Sequence, residues 1–177
     1  STGLYNTPEG IAFDFPRARE IAVNYLYVQI STPQPRYRTL RFVYSIKTRW
    51  RQNLLNFRFD TEISNTCGGD AKLTPLLWTN TADLDGRWWA ETARVPIVPT
   101  TYATIVVPIQ AENFINVYGA RPDSTTFEAA LPMLSRIGLT FGGGCFYSHG
   151  VYLEGGYAQF VLHNLESMKV VSRRAAL

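Results

Sequence analysis

"RTLRFVYSIKTRW", residues 38–50, decides the fold class. Leu40, Phe42, Tyr44 and Ile46 fall at every second position, and Arg41, Ser45 and Lys47 fill positions between them; only Val43 breaks the rule. A period of two belongs to a β-strand that turns one face to a core and the other to water, the pattern of an antiparallel sheet. "NLLNFRFDTE" (53–62) repeats it, with Leu55, Phe57 and Phe59 set against Asn56, Arg58 and Asp60.

Working outward, the same patterning predicts strands over 21–30, 72–78, 87–95, 102–109, 136–142 and 157–171. Turn signals separate them: "TPQP", "CGGD", "DLDG", "VPTT", "ARPDS", "GGGC" and "EGG". One short helix is expected in "TFEAALPML" (126–134), capped by Ser124 or Thr125 and disturbed by Pro132. Eight or nine strands with a single helical turn and no βαβ rhythm predict an all-β fold. We expect one antiparallel β-sandwich of jelly-roll type spanning 1–177, with a closed barrel as the alternative. The chain shows neither an internal repeat nor a linker composition.

Composition agrees with a packed globule. Apolar residues make up 46% of the 177 and aromatic residues 14%, which excludes a disordered or low-complexity chain. No run of about eighteen apolar residues is present to form a membrane-spanning helix. The net charge of +3 hides an asymmetry: residues 17–58 carry nine Lys/Arg against Glu20 alone, while residues 59–166 carry five against eleven acids. Opposed blocks of this kind can meet head to tail in an assembly. Cys67 and Cys145 offer one possible bridge, worth about 3–5 kcal/mol in an oxidising compartment; two reduced thiols are the alternative.

"GLTFGGGCFYSHGVYLEGG" (138–156) holds seven glycines, a cysteine and a histidine. A phosphate cradle would need a helix after the glycines, and "CFYSHGVYL" is aromatic and β-branched instead. Cys145 and His149 lie four apart in extended chain and need not converge, and Cys145, His149 and Glu154 make a poor metal set with His163 away in a strand. The stretch reads as a sheet corner: Gly142–Gly144 end a strand in a turn or bulge with positive φ, Gly150 permits another tight bend, and Gly155–Gly156 form a hairpin into the final strand.

Binding chemistry concentrates in "WTNTADLDGRWWAETARVP" (78–96). Trp78, Trp88 and Trp89 bracket Asp83, Asp85 and Arg87. Indoles stack on the apolar faces of sugar rings while carboxylates and guanidinium take hydroxyls, so this set is the candidate saccharide platform. Trp88 and Trp89 must point to opposite faces of a strand, which leaves one of them for the core. "DLDG" has the first half of a calcium loop without its third carboxylate or distal Glu, and reads as a turn; no cofactor is expected. No carboxylate pair marks a glycosidase, so no enzyme is expected. The basic segment with Arg36, Arg38, Arg41, Lys47, Arg49, Arg51 and Arg58 raises nucleic acid as a ligand, although acids elsewhere can neutralise it.

"RIGLTFGGGCFYSHGVYLEGGYAQFVLHNLE" (136–166), after a short helix, resembles the C-terminal part of galactose-binding-like β-sandwiches. That superfamily includes non-catalytic carbohydrate-binding modules and the domain of complex I assembly factors of the CIA30 type. The resemblance spans about forty residues and rests on small-residue patterning. It implies a secreted or envelope-associated module that binds a glycan without catalysis. The other expectation is a structural subunit, capsid-like jelly rolls included, that binds other protein chains.

Overall fold

A computed structural model of the chain describes residues 3–30, 39–48, 58–61, 70–79, 86–144 and 147–168. Cys67, Cys145, Asp83, Asp85, the Arg36–Arg38 segment and Arg49–Arg51 lie outside them.

In chain order the strands are β1 (Tyr5–Thr7), β2 (Gly10–Asp14), β3 (Tyr25–Gln29), β4 (Thr39–Thr48), β5 (Arg58–Thr61), β6 (Ala71–Thr79) and β7 (Arg87–Ala90). They continue as β8 (Val95–Pro96), β9 (Thr100–Pro108), β10 (Phe114–Ile115), β11 (Leu134–Gly143), β12 (Val151–Glu154) and β13 (Ala158–Met168), and the α-helix among the described residues is α1 (Ser124–Ala130). One sheet runs β1-β2-β13-β4-β9 and the other β10-β7-β6-β11-β3, with β8 added to β6. All pairings are antiparallel, and β5 with β12 forms a separate ribbon.

The principal strands thus form two four-stranded layers, β2-β13-β4-β9 and β3-β11-β6-β7. Following the chain, the path alternates between layers except at the β6–β7 hairpin, which is jelly-roll connectivity. The fold is a jelly-roll β-sandwich with one short helix among the described residues.

The alternation in residues 38–50 has its cause in this packing. Leu40, Phe42, Tyr44 and Ile46 on β4 are all at most 5% exposed and join the core between the layers. From the facing layer come Leu73 and Leu77 on β6, Ile137, Leu139 and Phe141 on β11, and Trp88 and Ala90 on β7. Phe13, Phe15, Phe141 and Phe160 meet there edge-on or stacked at 5.1–6.1 Å between centroids.

Several expectations need correction. The segment 21–30 pairs as a strand only over β3, preceded by a lone Val23–Val151 bridge. The 87–95 strand stops at Ala90, where a 3-10 turn over Glu91–Ala93 intervenes. Helix α1 is capped by Asp123 and not by Ser124 or Thr125: its carboxylate accepts from the Thr126 backbone N–H (3.0 Å) and from the Thr126 hydroxyl (2.6 Å). These bonds hold the Asp123 carboxyl below its ordinary pKa. Gly142 and Gly143 sit inside β11, and the positive φ angles of the stretch fall at Gly144, Gly150, Gly155 and Gly156. What reads as a corner is therefore a long central strand, a loop and a short strand.

Candidate binding site

Register across the six-stranded sheet builds the site. β11 pairs with β3 on one side and β6 on the other, and β7 flanks β6, so partnered residues form rows perpendicular to the strands. Inward residues of these strands fill the main core. Their neighbours in sequence, Leu76, Trp89 and Ile115, form a second apolar cluster on the opposite, outer side of the sheet.

On that outer side one row reads Gln29 (β3), Arg136 (β11), Trp78 (β6), Arg87 (β7). The next reads Tyr27, Gly138, Leu76, Trp89, Ile115. In the first row Trp78 stands between two arginines: the Arg87 guanidinium carbon is 4.0 Å from its ring centroid and that of Arg136 is 4.4 Å away. Both distances are within cation–π range. Arg136 also lies 4.9 Å from the Tyr27 ring, and Tyr25 and Tyr27 approach Trp78 at 5.8 and 6.2 Å.

Gly138 makes this approach possible. A Cβ there would stand 2.1 Å from the Leu26 carbonyl oxygen and 2.8 Å from the Tyr27 Cβ, so β3 can lie this close only beside a residue with no side chain.

The loop after β11 folds back over the second row. Tyr147 stacks on Trp89 at 6.3 Å, and the Tyr25 hydroxyl donates to Ser148 Oγ at 2.9 Å. Arg94 packs its guanidinium 4.0 Å from the Tyr147 ring and donates to the Gly144 carbonyl at 3.0 Å. Burial is the main cause that raises the Tyr147 pKa and lowers that of Arg94. Arg87 donates to the Tyr25 hydroxyl at 3.4 Å, linking the first row to this loop.

The sequence candidates divide accordingly. Trp78 is half-buried at the centre of the row and Arg87 beside it. Trp89 shares the outer face but is only 3% exposed beneath Tyr147. Trp88 leaves the candidate set: its side chain enters the main core, 5.8 Å from Phe127 of α1, and is 8% exposed. Asp83 and Asp85 lie outside the described residues, and the site is drawn without them. The sequence reasoning missed Gln29, Tyr25, Tyr27 and Arg136. Their signal was present in "YLYVQ" and "RIG", where outward residues alternate with core ones, but only strand order places them beside Trp78.

The other sheet's outer face carries a closed polar network. Asp14 accepts from Tyr5 (2.5 Å) and Tyr157 (2.6 Å), and Lys47 pairs with Glu9. His163 bridges the Glu9 carbonyl (3.0 Å) and Ser45 Oγ (2.9 Å) with Tyr102 stacked on its ring. A carbonyl can only accept, so Nδ1 donates to it, and Nε2 shares a hydrogen bond with the Ser45 hydroxyl. Ser45 is completely buried, so its hydroxyl is closed to solvent and the pair ties β13 to β4.

Fold and face together define a jelly-roll β-sandwich with an arginine–aromatic outer surface. No family model matches the chain, and no curated protein does. Among solved structures it is similar to a xylan-binding module CBM15, at 9% identity and a TM-score of 0.42, over 92% of this chain and 84% of that one. The comparison does not single out the galactose-binding-like superfamily that residues 136–166 resemble.

Proposed function

We propose that this protein is a non-catalytic carbohydrate-binding module whose glycan lies along the outer face of the six-stranded sheet. The single observation that carries the reading is the Gln29–Arg136–Trp78–Arg87 row with Tyr27 beside it. Saccharides are bound by flat side chains that offer apolar faces and multiple donors together. Here an indole, two guanidinium forks, an amide and a 44% exposed Tyr27 ring stand together on one face of a hydrogen-bonded sheet. A rigid platform loses little entropy on binding, which suits a ligand made of many weak contacts. An extracellular or envelope location accompanies this reading.

Affinity electrophoresis through gels containing soluble neutral and acidic polysaccharides tests it. Retardation is expected on at least one polymer. Trp78→Ala should weaken that binding by about tenfold or more, because it removes the ring on which both arginines rest. The melting temperature should change little, since Trp78 is half-buried. Migration unaffected by every polymer would refute the reading.

A second reading, a subunit that binds other protein chains, is favoured by β9. This nine-residue strand pairs with β4 alone among the described residues, and it leaves Tyr102 and Val106 64% and 51% exposed. Long edge strands with apolar side chains are templates for further pairing. Light scattering at low and high salt should then show oligomers, and a monomer in both would remove this reading.

A further inference from the structure

Resting on the carbohydrate reading, we infer that the glycan is an acidic one, a uronic-acid polysaccharide whose carboxylates are taken by Arg136 and Arg87. Three observations converge on this. The described cation–carboxylate pairs lie elsewhere: Arg41 with Glu166 and Lys47 with Glu9 join elements of the five-stranded sheet, and Arg121 pairs with Glu91. Among the described residues no carboxylate neutralises Arg87 or Arg136, although the two share one row around one indole. Their donors are also largely uncommitted among the described residues. Arg136 makes no hydrogen bond among the described residues. Arg87 makes only the long bond to Tyr25, while its Nε is closed to solvent without an acceptor among those residues.

The energetic consequence separates ligand classes. A polysaccharide laid across the row strips water from two guanidinium groups. Hydroxyls alone replace that hydration poorly, because burying a charge without a counter-charge is costly. A carboxylate restores the balance and fits the planar fork of a guanidinium with two parallel hydrogen bonds. The indole between the arginines holds both forks in place, so little side-chain freedom remains to be lost when the anions arrive. Neutral glycans gain the stacking and hydroxyl contacts of this surface but leave both charges without a counter-charge.

The test compares polygalacturonate with the same polymer after reduction of its carboxyl groups to hydroxymethyl groups, each titrated calorimetrically at low and moderate salt. Native polymer should bind about tenfold or more tightly than reduced polymer, with an affinity that falls as salt rises. Arg136→Gln and Arg87→Gln, with melting temperatures checked against wild type, should each lose about tenfold on native polymer and less than twofold on reduced polymer. Equal binding of the two polymers would overturn the acidic assignment and leave the carbohydrate reading standing. Binding to neither would also overturn the acidic assignment, and the carbohydrate reading would then rest on the gel retardation by the other polymers. A single-stranded oligonucleotide or dextran sulfate bound as tightly as polygalacturonate would also overturn the inference, by showing a surface that takes any polyanion. The wild-type comparison needs no variant to fold.

Discussion

Phe160→Ala is expected to cost about 3–5 kcal/mol of stability and to lower the melting temperature by roughly 6–20 °C. Phe160 is completely buried on β13, the middle strand of the five-stranded sheet. It is partnered in register with Phe13, stacked on it at 5.3 Å, and stacked on Tyr44 at 5.6 Å. Across the sandwich it meets Phe141 of β11 edge-on at 5.5 Å. One ring therefore touches the neighbouring strands on both sides and the facing sheet. Removing it opens a cavity bounded by two β-layers whose backbones are fixed by ladders, so the site cannot collapse around the smaller side chain. Phe160→Leu, which refills much of that volume, should cost less than half as much. Denaturant unfolding followed by tryptophan fluorescence measures both. A loss below about 1 kcal/mol for the alanine variant would contradict the central placement of this ring.

Why residues 38–50 were legible and much of the site was not follows from the range of the interactions. Leu40, Phe42, Tyr44 and Ile46 of β4 all face one core, so their period is written locally and can be read without knowing its partners. Strands β1, β2 and β12 were not expected, because three to five residues carry too few alternations to register. In β6 both faces are covered, by the core on one side and by Trp89, Tyr25 and Tyr147 on the other, so its run is nearly continuous and still reads as a strand. The platform is a different case. Alternation states that Trp88 and Trp89 oppose each other, but the choice of which enters the core depends on Phe127, some forty residues on. Likewise Arg136 and Tyr27 reach Trp78 only because β11 lies between β3 and β6. Such neighbours are set by strand order, which local patterning does not encode.

Gly138→Ala should produce the second large effect, and its character distinguishes the platform from the core. The new methyl carbon would stand 2.1 Å from the Leu26 carbonyl oxygen and 2.7 Å from the Tyr27 Cα, both backbone atoms. No rotamer change relieves a backbone contact, so β3 must move away from β11. Among the described residues only β11 holds β3 in the sheet, through five partnered positions from Tyr25–Thr140 to Gln29–Arg136. An edge strand can detach without unfolding the other layers, so the expected loss is about 1–3 kcal/mol and local in nature. Amide exchange should accelerate over Tyr25–Gln29 while β4 and β13 keep their protection. Because Tyr25, Tyr27 and Gln29 are carried by the displaced strand, glycan affinity should fall by about tenfold or more, as it does for Trp78→Ala. Phe160→Ala supplies the contrast: below its own melting range it should keep the glycan affinity of the wild type, since its ring lies on the far side of the sheet from the row. If Gly138→Ala bound glycan normally with β3 still protected from exchange, the close approach of β3 would not be what assembles the surface.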